Sequence, residues 1–509
     1  MTATRPEQTT AVRLRAVLPE ADADPLVDGI TLDSRAVQPG WLYAALPGAR
    51  THGARFAQAA VEAGAVAILT DAAGAELTQG TTVPVVVVDD VRARLGEVAS
   101  AIFGHPSRGL STFGVTGTNG KTTTVALLAA GLASAGLTVG TIGTLGFHLA
   151  SERIESSRST VTTPEATDLQ ALLAVMAERG ADAVALEVSS HALALERVGG
   201  IAFNVVAFLG LGHDHLDFHK TFEAYFEAKR KLFEPGRAAT AVVWTDDEHG
   251  ARIADMVRRQ GTPRLITCGT RDADYIVADF RPDGRLGGRA TVRRGGDDLA
   301  LRLALPGRFN MIDAMVALAM LEAAGLATGD VLAGLASAQV PGRMQRAILD
   351  DAAPLTIVDF AHTPQAVSAT LEALAPLGPI TTVIGCGGDR DPDKRPLMGK
   401  AAAEASRLVI VTDDNPRSED PADIRAATLA GARGGQARVL EVAGRAEAIA
   451  QALRLTERDG VVAILGKGHE RGQILADKVV DFDDVGVARA AWEGLKAQTQ
   501  QESREEGRP

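Results

Sequence analysis

The sequence predicts an α/β protein of three domains, and three observations carry that prediction. Short β-branched runs alternate with Ala-rich helical stretches along the chain, the rhythm of strands crossing over to helices. The rhythm breaks at Gly104-His-Pro-Ser-Arg-Gly109 and again at the hinge-like Val340-Pro-Gly-Arg343. The length, 509 residues, suits about three domains of ordinary size. The expected division is therefore 1–105, 106–340 and 341–509.

In the first block, strands are expected at Gly29–Leu32, Trp41–Ala45, Ala65–Thr70 and Pro84–Asp89, with a helix over Ala54–Ala63. The second opens with a strand, Ser111–Val115, and a long Ala/Leu helix follows Lys121. Further strands fall at Ala183–Val188, Val205–Leu209 and Ala241–Trp244. A more polar, β-like stretch covers Tyr275–Leu305, and a helix over Ile312–Ala324 closes the block. The third block repeats the pattern, with strands at Leu355–Asp359, Ile380–Gly385, Leu408–Thr412 and Val461–Leu465. Gln498–Pro509, polar and mixed in charge, reads as a frayed end, and no internal repeat is present.

Composition excludes several classes. Apolar residues are 46% and charged residues 23%, which is ordinary globular composition. Only 4% is aromatic, so the cores must be built from Ala, Val, Leu and Ile. With 52 Lys+Arg against 64 Asp+Glu, the net charge of −12 argues against a coat on nucleic acid or anionic membrane. It leaves phosphate ligands open, because helix N-termini and a few local cations can hold them. Cys268 and Cys386 are too few for a disulfide scaffold. The start lacks an apolar signal region, and no apolar run approaches the ~20 residues of a membrane span. A cytoplasmic protein is the expectation.

Val115-Thr-Gly-Thr-Asn-Gly-Lys-Thr-Thr123 lies between a strand and a helix, the context of a phosphate loop. Its glycines, Gly117 and Gly120, allow a tight turn that aims N–H groups of Thr118, Asn119 and Thr123 at phosphate oxygens. Lys121 can reach the β/γ phosphates and Thr122 can ligate Mg²⁺. Val115 stands where the strict pattern wants Gly or Ala, so the loop is a variant form. Ala185-Leu-Glu-Val-Ser-Ser-His191 puts Glu187 at a strand end, well placed for Mg²⁺. His213-Asp-His-Leu-Asp-Phe-His219 packs three histidines and two aspartates into seven residues. By itself that segment suits Mg²⁺, zinc or a solvated polar loop.

Together, Thr116-Gly-Thr-Asn-Gly-Lys-Thr, Glu187-Val-Ser-Ser-His, Asp214-His-Leu-Asp and Asp359-Phe-Ala-His-Thr-Pro resemble the Mur ligases of peptidoglycan synthesis. Gly387-Gly-Asp-Arg-Asp391, Asp414-Asn-Pro-Arg417 and Gly466-Lys-Gly-His-Glu470 narrow the resemblance to the branch that adds a diamino acid. The motifs keep the family's order from Asp33-Ser-Arg35 to Glu470. The resemblance implies an N-terminal UDP-sugar-binding α/β domain, a central P-loop ATPase domain with a mainly parallel sheet, and a C-terminal Rossmann-like domain. It implies ATP-dependent amide formation through an acyl phosphate, with two Mg²⁺ ions. The substrates it implies are ATP, UDP-MurNAc-L-Ala-D-Glu and meso-diaminopimelate, taken by a monomer without nucleic acid or membrane insertion.

Carried over by position, the resemblance assigns Lys121, Glu187, His215 and Lys229 to catalysis. Thr122, Glu187, His215 and a carbamylated Lys229 become the metal ligands. Asn310, Arg343, Asp359 and His362 join the phosphate loop around ATP. Leu32, Ser34 and the Ala49, Arg50, Thr51 turn would grip the UDP-sugar, with Thr162, Thr163, Ser189 and Arg197 along its peptide. Arg390, Asp414, Asn415, Pro416, Arg417, Gly466 and Glu470 would form the diaminopimelate pocket. Arg417 can clamp the distal carboxylate that lysine lacks.

The chain departs from the family pattern at Leu195, Leu209-Gly210, His213, Trp244, Asp313, Gln345 and Gln365. Where Trp244 and Asp313 stand, the family usually has Asn. These positions bear on rate, affinity or the exact muramyl substrate more than on reaction type. The competing readings are a lysine- or ornithine-adding ligase and a catalytically impaired ATP-binding homologue. A folylpolyglutamate synthetase should lack both the first block and Asp414–Arg417.

Overall fold

The structure, a computed structural model, describes residues 5–48, 50–156, 162–212, 214–283 and 286–506, with side chains to residue 498. Ala49 and His213 lie outside the described residues. Three domains are present, each built on its own sheet.

The first domain has strands β1 (Gly29–Thr31), β2 (Trp41–Ala44), β3 (Ala67–Thr70) and β4 (Val85–Val87), all parallel and paired in sequence order. The expected helix over Ala54–Ala63 is a 3₁₀ turn, Gly53–Phe56, running into an α-helix, Ala57–Glu62. The His52 ring accepts from the Ala54 N–H, which favours the tighter turn at its start.

The central domain carries an eleven-stranded sheet. In chain order its elements are β5 (Ser111–Thr116), α1 (Lys121–Ser134), β6 (Val139–Gly143), β7 (Gly146–Leu149), β8 (Glu152–Arg153), β9 (Ala183–Glu187) and β10 (Phe203–Phe208). There follow α2 (Phe222–Arg230), β11 (Ala238–Trp244), β12 (Arg264–Gly269), β13 (Tyr275–Pro282), β14 (Gly288–Arg294), β15 (Asp297–Leu303) and α3 (Arg308–Ala323). The spatial order is β8-β7-β6-β9-β5-β10-β11-β12-β13-β14-β15. Strands β6 to β13 in that order are parallel, and antiparallel strands finish both edges. The polar stretch expected over Tyr275–Leu305 is thus three strands at one edge, half-buried, which is why its alternation is weaker than that of the central strands.

The third domain has β16 (Gln345–Arg346), β17 (Leu355–Asp359), α4 (Pro364–Leu374), β18 (Ile380–Ile384), β19 (Leu408–Val411), β20 (Arg438–Glu441), β21 (Val461–Leu465) and α5 (Asp484–Glu506). Their order is β16-β17-β21-β18-β19-β20, parallel except for β16. The frayed end expected over Gln498–Pro509 is corrected as far as Glu506, which belongs to α5. That helix is seated by Val485 and Ala488, both buried in the third domain's core. Packing at its start therefore carries a tail whose own composition is polar.

Arg445 and Asp484 form a fully buried ion pair at 2.7 Å, and the same guanidinium donates to the Leu465 carbonyl at 3.0 Å. The pair fastens α5 to the end of β21. Removing one partner leaves a buried charge uncompensated, so Asp484→Ala is expected to destabilise the third domain by about 3–5 kcal/mol. Arg445→Met/Asp484→Leu should recover most of that loss in urea unfolding followed by a third-domain probe. Equal losses in the single and double variants would contradict the pairing argument.

Candidate functional site

In a parallel sheet, loops that leave the C-terminal strand ends share one edge, and ligands bind there. The ends of β5, β9, β10 and β11 supply Thr116, Glu187, Phe208 and Trp244 to that edge. The third domain faces it with the loops after β17, β18, β19 and β21. Between them lies a cavity of about 810 Å³.

The phosphate loop turns out of β5 and enters α1. Gly120 has φ +84°, and a Cβ there would lie 2.5 Å from an Asp313 carboxylate oxygen. Glycine is therefore required by both backbone and space. The Thr118 N–H donates to Gly210 at 3.0 Å. Lys121 Nζ donates to the Gly117 and Thr118 carbonyls at 2.8 and 2.9 Å, curled over its own loop. Burial draws its ammonium below the usual lysine range, against Glu187 and Asp214.

Glu187 is buried, and Thr144 fixes both its oxygens: N–H to Oε1 at 2.8 Å and hydroxyl to Oε2 at 2.9 Å. His215 has φ +56° and stands 3.4 Å from Asp214. Burial pushes its pKa down to about 3, so the imidazole is neutral. Lys229, near the end of α2, is buried and donates to the Gly117 carbonyl at 2.8 Å. Burial and then Lys121 hold its ammonium well below the ordinary lysine range.

Arg343 crosses from the domain hinge, donating to the Thr122 hydroxyl at 3.2 Å with its guanidinium 4.4 Å from the Phe360 ring centre. Asp359 accepts from the Met344 N–H at 2.7 Å and the Thr370 hydroxyl at 3.1 Å, which fixes the chain just past the hinge. His362 lies 3.8 Å from Asp214. Asn310 is buried, and its amide donates to the Pro306 carbonyl at 2.6 Å. Thr163 donates to the Glu187 carbonyl at 2.8 Å and accepts from the Ser189 N–H. Arg197 reaches the Thr163 carbonyl and pairs with Glu165 at 2.7 Å. Thr162, Thr163, Ser189 and Arg197 all line the cavity.

On the third-domain wall, Asn415 donates to Glu470 at 2.7 Å, and Arg417 donates to the Gly388 carbonyl at 2.6 Å. Beneath them is Lys467, a residue the sequence reading passed over. It is fully buried and donates to Asn415 at 3.0 Å, Glu470 at 3.1 Å and the Gly472 carbonyl at 2.6 Å. Its one sequence signal was its place inside the Gly466–Glu470 motif. A lysine between glycines reads as solvated until its partners converge in space. Burial lifts the Asp414 carboxyl above its usual range despite Arg445 and Lys467.

The structure does not bring every expected residue to the cavity. Leu32, Ser34, Arg50 and Thr51 are absent from its lining. They sit instead beyond the C-terminal ends of β1 and β2, where the Gly48 N–H bonds the Thr51 carbonyl at 3.1 Å. Pro416 also stays out of the lining, serving the turn between Asn415 and Arg417. Of the departures, Leu209 packs toward Gly117 and Gly120, Trp244 and Gln365 line the cavity, and Leu195 ends the short helix Ser190–Ala194. Gln345 pins the hinge by accepting from the Gly342 N–H at 2.8 Å. Cys386 is packed between Met398 and Thr428.

Comparisons with known proteins bear on this arrangement. The Mur ligase family catalytic domain model matches residues 26–102, the Mur ligase middle domain 115–321, and the Mur ligase glutamate ligase domain 342–468. A UDP-N-acetylmuramoyl-L-alanyl-D-glutamate–2,6-diaminopimelate ligase of Streptomyces avermitilis is 47% identical, over 94% of this chain and 95% of that one. The protein of the same name from Corynebacterium efficiens is 44% identical, over 92% and 91%. A solved structure of a ligase with that name aligns with TM-score 0.71 at 33% identity, covering 96% of this chain and all of the other.

Asp313 gives a pH-dependent prediction. Burial alone raises its carboxyl well above 3.8. The folded chain then binds this proton more tightly than the unfolded chain. Stability is full below the ordinary carboxylate pKa and falls as pH rises through the raised value. Asp313→Asn should remove that loss and raise Tm by about 2–4 °C or more at pH 8, with little change at pH 4. An equal shift at both pH values in thermal unfolding would contradict it.

Proposed function

Since the chain belongs to the Mur ligase family, we propose that it is the ATP-dependent ligase that joins meso-2,6-diaminopimelate to UDP-N-acetylmuramoyl-L-alanyl-D-glutamate. The observation that carries this reading is convergence. A phosphate loop, the Glu187–Thr163–Arg197 wall and the Asp414–Arg417 turn with Glu470 all line one cavity. A phosphoryl donor, a carboxylate acceptor and an amine can therefore meet there.

The carboxylate of the D-glutamate side chain is a poor electrophile. Transfer of the γ-phosphoryl group to one of its oxygens releases ADP and leaves an acyl phosphate. The amine of the diamino acid then attacks the acyl carbon, the amide C–N bond forms, and the C–O bond to phosphate breaks. Phosphate leaves, and the amine gives up its proton. Lys121 and the N-terminus of α1 hold the β/γ phosphates, and Arg343 brings a further cation to Thr122.

The donor set fits Mg²⁺. Thr122, Glu187, a neutral His215 and Lys229 as its carbamate would hold two ions, and hard oxygen ligands shared with phosphates are what Mg²⁺ prefers. Among the described residues, no cluster of three His, Cys, Asp or Glu forms an all-protein metal cage. When bound, Mg²⁺ supplies neutralisation of phosphate charge. Burial favours the neutral amine of Lys229, the form that adds CO₂, with loss of a proton, to give a carbamate.

Arg417 and Arg390 are suited to the distal carboxylate of the diamino acid, with Asp414, Asn415, Gly466 and Glu470 at its amino end. The UDP-sugar would lie on the first domain at Leu32, Ser34 and the 49–51 turn, and its peptide would reach Thr162, Thr163, Ser189 and Arg197. Residues 1–105, 106–340 and 341–509 then act as the sugar, ATP and amino-acid units of a monomer. The reaction belongs in the cytoplasm, where ATP and UDP-sugars are made, and serves cell-wall growth and with it cell shape and division. Among the described residues no helix is long and apolar enough to cross a membrane.

Phosphate release with UDP-MurNAc-L-Ala-D-Glu and ATP tests the reading. Release is expected with meso-diaminopimelate and not with L-lysine, because an Arg left unpaired by lysine is costly. Arg417→Lys should lower kcat/KM for diaminopimelate by ~10²-fold. No phosphate with any amine would overturn the ligase, whereas a preference for lysine would overturn only the diamino acid.

A further inference from the structure

We propose that the indole of Trp244 is the platform on which the purine base of the nucleotide stacks, a reading that rests on the ATP site proposed above. Trp244 ends β11, which lies two strands from β5 in the order β5-β10-β11. At about 4.8 Å per strand, its end stands ~10 Å across the sheet edge from the phosphate loop. That interval suits the ribose and α-phosphate of a nucleotide whose terminal phosphates sit on the loop. Leu209, at the end of β10, fills the space between and packs toward Gly117 and Gly120.

Trp244 also lines two cavities at once. One is the cavity of the phosphate loop, and the other is a cleft of about 570 Å³ between the central domain and α4. Phe280, Pro306, Phe309, Ile312 and Leu377 give that cleft its apolar wall. A flat ring passing beyond the phosphates therefore meets the indole and, from the start of α3, Phe309. Two of the polar side chains on these walls are already engaged, while Arg308 and Glu372 also line the cleft. Asp246 accepts from the Thr270 N–H at 3.1 Å, and the Asn310 amide donates to Pro306.

Stacking predicts a loss on truncation that does not depend on which purine is bound, because every base presents a π-face. The chain has three tryptophans, Trp41, Trp244 and Trp492, so Trp41→Phe/Trp492→Phe leaves the proposed platform as the sole indole reporter. In that protein ADP and GDP should quench the emission, and inorganic tripolyphosphate should not. By calorimetry, Trp244→Ala should weaken ADP and GDP by ~10-fold or more, each by a similar factor, and leave tripolyphosphate unchanged. Trp244→Phe should keep most of the affinity. If Trp244→Ala fails to fold, the quenching arm, which leaves Trp244 in place, decides the matter. ADP binding by calorimetry without quenching would overturn the stacking alone. No ADP binding at all would overturn the nucleotide site with it.

Discussion

Two amines, those of half-buried Lys121 and fully buried Lys229, donate to one carbonyl oxygen, that of Gly117, each at 2.8 Å. Two ammonium groups that close, out of water, repel each other, and each is also penalised by desolvation. Both are drawn below the ordinary lysine range, Lys229 the further, and their partners show why. Lys121 has Glu187 and Asp214 in its favour, whereas Lys229 has Asp214 alone and, after burial, Lys121 most against it. One peptide carbonyl thereby holds two identical side chains in unlike electrostatic surroundings.

That carbonyl is placed by the parallel pairing of β5 with β9 and β10. The register brings Val115 opposite Glu187 and Thr116 opposite Phe208, so the loop, the carboxylate and Leu209 leave the sheet at one level. The third domain reaches that level through Arg343 on Thr122 and through the His362–Asp214 approach. Asp359 and Gln345 hold the chain on either side of Arg343, so the hinge presents a fixed guanidinium. A side chain on a loose tether would have lost that advantage to entropy.

Much of this was legible in the sequence because it is local. Strands β17 and β21 begin and end where the apolar runs do, and the phosphate loop is contiguous. What was not legible is what depends on distant partners. Lys467 supports the pocket from beneath only because Asn415 and Glu470 fold over it. The helix through Glu506 depends on Val485 and Ala488 being buried far upstream of its polar end. The first-domain residues Leu32, Ser34, Arg50 and Thr51 were assigned to the UDP-sugar end of a ligand whose peptide end was assigned to Thr162, Thr163, Ser189 and Arg197. The fold puts them on a different sheet edge, so that ligand would have to be long enough to bridge two domains.

The net charge of −12 says little about such a site, because the cavity keeps its own local balance. Glu187, Asp214, Asp217, Asp313, Asp359, Asp391, Asp414 and Glu470 line it, and so do Lys121, Arg197, Lys229, Arg343, Arg390, Lys394 and Arg417. Several of these charges already have a protein partner: Arg197 has Glu165, and Asp414 and Glu470 share Lys467. An unpaired charge in such a place would cost several kcal/mol, so pairing lets the cavity exist at all. It also shapes how anions bind. A phosphate or carboxylate entering here exchanges partners with groups already oriented, and the selectivity follows from which exchanges leave every cation matched.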